Sequence, residues 1–215
     1  MPYRKVYGRR RRRRSGGVSM KLMKSMVSRS IDNRLETKEY GVRLYFGSIQ
    51  SGVLSTWAMS NIGSGGGSGQ RESVRIRIKS LAYTGYLGIA DEPCWLRLAI
   101  VWSNYEEASA AGTMSPPGLT ALWETSAGDG VWGFRNLEQT HNFCIIWERR
   151  YLLTQSSNYM LPLNIFMKMD HIVKYNGTSA NDYSRGALWF VATSDSVSTP
   201  HPAMDGNLRY WFKDD

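Results

Sequence analysis

Cysteine is scarce. Cys94 and Cys144 are the two in 215 residues, too few for a disulfide framework, and neither has a CxxC partner or a histidine at metal-ligand spacing. Both read as buried apolar thiols in a reducing compartment. Long apolar runs are also missing: no stretch reaches the roughly 18 residues of a spanning helix, and no apolar segment follows the charged start as it would in a secretory signal. Catalytic motifs are absent in the same way. There is no GxSxG, no HExxH and no phosphate loop, and Gly63–Gly69 (GSGGGSG) lacks the Lys-Ser/Thr such a loop requires, which leaves it a flexible loop. His141, His171 and His201 have no second ligand at i+2 or i+4 and read as surface or satisfied residues. The acidic pairs Asp91-Glu92 and Glu106-Glu107 read as solvated loop charges rather than a cation site. Asn176-Gly177-Thr178 matches a glycosylation acceptor but reads as a glycine turn. No enzyme, cofactor or metal is expected.

Negative charge is nearly missing from one part of the chain. Up to Thr37 there are 12 Lys/Arg against 2 Asp/Glu, and beyond it 15 against 16. The formal net charge of +9 therefore resides in the first sixth of the chain, on a body that is close to neutral. That body carries all 8 Trp and 10 of the 12 Tyr, so it has the material for a packed core of its own.

Three segments follow. Residues 1–17 contain six adjacent arginines and no apolar periodicity, and are expected to be disordered when free. Residues 18–36 place Val18, Leu22, Met26, Val27, Ile31 and Leu35 at spacings of three to five, with basic side chains between, which predicts a short amphipathic basic helix. Residues 37–215 change period. Val42, Leu44 and Phe46 alternate with Arg43 and Tyr45. Val74, Ile76 and Ile78 alternate with Arg75, Arg77 and Lys79, predicting three core-facing β-branched residues and one basic face. Val53–Met59, Cys94–Trp102, Phe143–Leu153, Pro162–Tyr175, Ala187–Thr193 and Leu208–Phe212 read as further strands, and 107–130 as a long loop. Eight or so short strands with Gly/Ser/Asn/Pro connections and no long helix predict an all-β jelly roll of two packed antiparallel sheets.

Arginine remains charged and forks onto phosphate oxygens, and a run of it follows a phosphate backbone without a fixed register. The expected nucleic-acid contacts are Arg4, Lys5, Arg9, Arg10, Arg11, Arg12, Arg13 and Arg14, supported by Lys21, Lys24 and Arg29. Arg75, Arg77 and Lys79 form a second candidate set. Such binding is largely indifferent to base sequence, and the same run matches a nuclear-localisation pattern. The neutral body has no electrostatic reason to bind nucleic acid. Its aromatic residues in or beside loops, such as Trp57, Trp123 and Trp132, have the composition of a surface for copies of itself.

Four stretches then carry a resemblance: KLMKSMVSRSIDNRLETKEY after the arginines; GQRESVRIRIKSLAYTGYL, departing from the pattern at Glu72-Ser73; FRNLEQTHNFCIIWERRYLL; and MDHIVKYNGT with ALWFVATSDS and LRYWFKDD. In this order the chain resembles the single-jelly-roll capsid proteins of small circular single-stranded DNA viruses, the Rep-encoding circovirus-like group. Its layout is also similar to the coat proteins of plant satellite viruses such as satellite tobacco necrosis virus. The resemblance implies an eight-stranded jelly roll and a self-assembling icosahedral shell, most simply T=1 with about sixty copies. The arms would lie inside and bring on the order of 600 positive charges to the genome. It further implies a virion protein that packages single-stranded DNA, uses host nuclear import machinery, resides in the nucleus during assembly and inserts in no membrane. The other readings are a satellite-type RNA virus coat protein, a non-assembling nucleic-acid-binding accessory protein, and an enzyme or lectin on the same fold.

Overall fold

The structure is a computed structural model that describes residues 20, 23–24, 36–89, 93–104, 114–125, 130–154 and 160–215. The chain divides into two compact units, Met1–Leu35 and Glu36–Asp215. In the first, Met20, Met23 and Lys24 are helical and exposed. The remainder of the expected helix, with Lys21 and Arg29, and the whole arginine arm lie outside the described residues.

The second unit holds nine strands among its described residues: β1 (Lys38–Phe46), β2 (Ser55–Ala58), β3 (Arg75–Gly88), β4 (Cys94–Ser103), β5 (Phe143–Leu153), β6 (Met160–Tyr175), β7 (Tyr183–Arg185), β8 (Leu188–Ser194) and β9 (Ala203–Asp214). They form a five-stranded sheet in the order β1-β9-β3-β6-β7 and a four-stranded sheet in the order β2-β8-β4-β5, and every pairing is antiparallel. With the three-residue β7 set aside, eight strands remain, four per sheet, and the chain repeatedly crosses from one sheet to the other. This is the jelly-roll topology, as expected. Among the described residues no helix is long and apolar enough to cross a membrane.

The core lies between the sheets, and strand alternation dictates who enters it. β1 sends in Leu44 and Phe46, and β9 sends in Met204, Leu208, Tyr210 and Phe212. On β3 the parity flips: Ile76 and Ile78 face in, then Leu81 and Tyr83. A register irregularity between Ile78 and Ser80 makes this possible. Lys79 has no partner on β9 and stands opposite two residues of β6, so the strand regains an inward apolar face after it. Val74, expected to face the core, precedes β3 and is exposed. Gly85 and Gly206 are in register on β3 and β9. A Cβ on either would run into the Tyr83 hydroxyl, so the two glycines make the floor on which that ring lies.

β4 is a continuous apolar run because both of its faces are covered. The opposite sheet covers one. The other lies beneath residues 114–125 and 130–136, which contain a helical turn, Leu119–Leu122, and the buried Trp123. The connection read as a long loop over 107–130 thus holds a helical turn that contributes to the core. Cys94 is buried as expected, whereas Cys144 is exposed: it lies on β5, an edge strand of its sheet, where nothing described covers it.

Candidate nucleic-acid and assembly surfaces

The basic set on β3 does not present a bare positive face. The Arg75 Nε lies 2.9 Å from Asp215 Oδ2, and the Arg77 guanidinium lies 3.3 Å from Asp215 Oδ1 and 3.7 Å from Asp170 Oδ2. Lys79 Nζ lies 2.8 Å from Asp170 Oδ1. Cations and carboxylates alternate along the row, because the irregularity at Lys79 brings Asp170 of β6 beside it and the end of the chain runs next to β3. Three cations therefore face two carboxylates. Of the other expected contacts, Lys24 is exposed, while Arg4, Lys5, Arg9, Arg10, Arg11, Arg12, Arg13, Arg14, Lys21 and Arg29 are outside the described residues.

Two arginines that the sequence reading passed over organise the body. Arg97 is buried in β4. Its Nε donates to Glu148 Oε1 at 2.5 Å and its Nη2 pairs with the same oxygen, while its Nη1 donates to the carbonyls of Gly130 at 2.6 Å and Gly133 at 2.8 Å. The guanidinium lies 4.2 Å from the centre of the Trp123 ring. Arg135 donates to the other Glu148 oxygen at 2.9 Å. Burial pushes the Arg97 guanidinium down to about 10, which leaves it charged at neutral pH. Burial works against ionisation of Glu148, yet the Arg135 and Arg97 guanidiniums outweigh it and hold its carboxyl below the usual carboxylate range. The cluster clamps the 130–135 segment onto the four-stranded sheet. A lone arginine inside the apolar run CWLRLAIVW was the available signal, since a charge there must be buried with partners.

Arg71 is the second. It is buried and donates to four carbonyls, of Ile62 (3.1 Å), Ser73 (2.9 Å), Gly177 (2.6 Å) and Ser179 (3.1 Å), with its plane 3.8 Å from the Tyr175 ring centre. This corrects the reading of Gly63–Gly69 as a free flexible loop. The main chain closes the same segment: the Gly65 N–H donates to Arg71 O at 2.9 Å and the Arg71 N–H donates to Gly63 O at 3.0 Å. The loop is tied at its base.

The aromatic residues separate into two groups. Trp123 belongs to the core and Trp57 packs against it, half-buried, so neither is a surface anchor. Trp132 is 50% exposed, with its ring edge-on to Trp95 at 4.9 Å and Arg150 5.5 Å from its centre. Phe134 and Leu137 on the same segment are 81% and 74% exposed, and Leu152, opposite Trp95 across β4–β5, is 48% exposed. Trp132, Trp95 and Leu152 thus lie together on the four-stranded sheet, and Phe134 and Leu137 expose further apolar side chains on the segment that carries Trp132.

The histidines do not converge. His171 stacks on Trp102 at 4.9 Å, His201 Nδ1 lies 3.2 Å from the Ser196 hydroxyl, and His141 is exposed. Among the described residues no group of three or more His, Cys, Asp or Glu gathers. The acidic pairs Asp91-Glu92 and Glu106-Glu107 are outside them.

No protein family's sequence profile matches the chain, and no curated protein matches it by sequence. Among solved structures it is similar to a chain of Desmodium yellow mottle tymovirus, at 10% identity and a TM-score of 0.38, over 83% of this chain and 89% of that one. A superposition that loose adds nothing to what the strand order already establishes.

Proposed function

We propose that this chain is a capsid subunit that self-assembles into a small icosahedral shell and packages single-stranded nucleic acid with its arginine-rich arm. One observation carries the reading: a near-neutral jelly roll is joined to a segment holding all of the net positive charge, 12 basic against 2 acidic residues up to Thr37. The body has little net charge to draw a polyanion and a fold well suited to tiling. The arm has charge and no core. The resemblance to the circovirus-like group favours single-stranded DNA, about sixty copies and use of the same arginine run for nuclear import. The exposed apolar side chains of Trp132, Phe134 and Leu137 are the part of the body that we assign to contacts between copies.

The test is size-exclusion chromatography of the recombinant full chain, with electron microscopy of the leading peak and its 260/280 nm absorbance ratio. Round particles with a nucleic-acid-rich ratio that falls when residues 1–17 are deleted support the reading. A monomer across a range of salt and pH overturns it in favour of the accessory protein. Digestion of the packaged material by DNase or by RNase separates the two genome types.

A further inference from the structure

The five-stranded sheet lines up three cations across three neighbouring strands. Arg75 of β3 is directly opposite Lys174 of β6, and Lys174 is directly opposite Arg185 of β7. Directly opposed residues of an antiparallel pair point to one face at close range, and like charges there destabilise the pairing. Something of opposite sign is required nearby. The chain supplies little: Asp215 pairs with Arg75, but it is shared with Arg77. Arg185 donates to the neutral Asn104 Oδ1 at 3.2 Å. Among the described residues no carboxylate forms an ion pair with Lys174 or Arg185.

The same three cations line an open cleft of about 320 Å³, together with Trp102, Asn104 and Ile172. Trp102 makes one wall and is backed by the His171 ring at 4.9 Å. A second groove on this sheet shows the contrast. It is lined by Arg43, Arg209 and Trp211 among others, but there Arg43 pairs with Asp205 at 2.5 Å and Arg209 with Glu39 at 3.0 Å. Each guanidinium in that groove has its own carboxylate, so it carries no excess charge. Among the described residues, the cleft beside β7 does.

We propose that this cleft is a second nucleic-acid contact, in which Lys174, Arg185 and Arg75 hold a backbone phosphate of a single strand while Trp102 and Ile172 give its sugar or base an apolar wall. The inference rests on the packaging reading and extends it from the arm to the folded body. Position supports it. Lys38, at the start of β1, is ion-paired to Asp214 at the end of β9, so the body begins at the end of the sheet that carries the start of β3. From β1 to β7 is four strand spacings, about 19 Å, a distance a few nucleotides span. A guanidinium and an ammonium facing one phosphate suit a phosphodiester, and an aromatic wall distinguishes a nucleotide from a bare anion.

The test uses the full chain with Arg9–Arg14 all changed to serine, so that the arm's largest contribution is gone, and follows binding of fluorescent dT15 by anisotropy at several salt concentrations. Lys174→Gln with Arg185→Gln should weaken binding about tenfold and lower the slope of log K against log salt by about 1.4. Arg43→Gln with Arg209→Gln removes the same charge from the other groove and should change affinity less than about twofold. Thermal melting of the cleft variant should hold steady or rise, since an opposed like-charge pair is relieved. Equal effects of the two double variants overturn the proposal, as does inorganic phosphate competing with dT15 as well as unlabelled dT15 does, which would make the cleft a free-anion site. Particle formation by the unmodified chain is scored separately. Particles with nucleic acid but no cleft effect leave the capsid reading standing and remove this one, and a cleft effect without particles does the reverse.

Discussion

At the residue scale, two buried arginines of the body are satisfied in different ways. Arg97 has a carboxylate and a set of carbonyls, and Arg71 has carbonyls and an aromatic face. Arg97→Met keeps the length of the side chain, leaves the Gly130 and Gly133 carbonyls without their donor and leaves Glu148 with Arg135 alone. The expected loss is about 3–5 kcal/mol, read as a lower urea midpoint with an unchanged slope. Arg135→Ala removes a half-exposed partner of the same carboxylate and should cost about 1 kcal/mol or less. Glu148 also sets a pH dependence. Its folded-state carboxyl titrates below its unfolded value, so its contribution is complete above the ordinary carboxylate range and is lost as pH falls through the folded value. Wild type should therefore lose stability as pH falls below the ordinary carboxylate value of about 4.5, and Glu148→Gln should flatten part of that slope in a denaturation series. Cysteine gives a simple check of placement. Native protein should show one thiol reactive with Ellman's reagent, Cys144, and a second only after unfolding.

At the element scale, Arg71 decides whether the glycine-rich segment behaves as a loop or a strap. Its guanidinium holds the base of Gly63–Gly69 against the 177–179 turn through four carbonyls. Lysine cannot reproduce that planar fork. Arg71→Lys and Arg71→Ala should both open the segment to limited proteolysis, with cleavage near Gly63–Gly69 appearing at protease levels that leave wild type intact. β3 shows what one irregularity does. The alternation of Ile76 and Ile78 with Arg75 and Arg77 was legible because a strand's period is two. That the period restarts at Leu81, after Lys79, was not, because the irregularity depends on how β6 and β9 pair with it. The three residues of β7 were too few to show a period, yet their position puts Tyr183 in the core and Arg185 beside Lys174.

At the scale of the whole molecule, charge segregation is the property from which function is argued. Replacing Arg9–Arg14 with serine removes six of the basic residues of the arm. For single-stranded DNA the salt slope should fall by about 4, measured as the dependence of dT15 affinity on salt. A slope that does not change would move the main contact elsewhere on the chain.

The sequence by itself determined what local rules govern: the basic arm, the neutral aromatic-rich body, and strands whose alternation follows from backbone pleating. With long Gly/Ser/Asn/Pro-rich loops between short strands these point to an all-β jelly roll. Tertiary structure decided what depends on partners far along the chain. The β3 basic row is largely offset because Asp170 and Asp215, distant in sequence, come to lie beside it. Trp123 is core and Trp132 surface because one segment folds over β4, and Arg97 is tolerated inside an apolar run because that segment's carbonyls meet it. Among the described residues Lys174 and Arg185 have no ion-paired carboxylate, because pairing of β3, β6 and β7 sets three cations in one row. A side chain's type is written in the sequence, but its counter-charge is set by strand register, which only the folded chain defines.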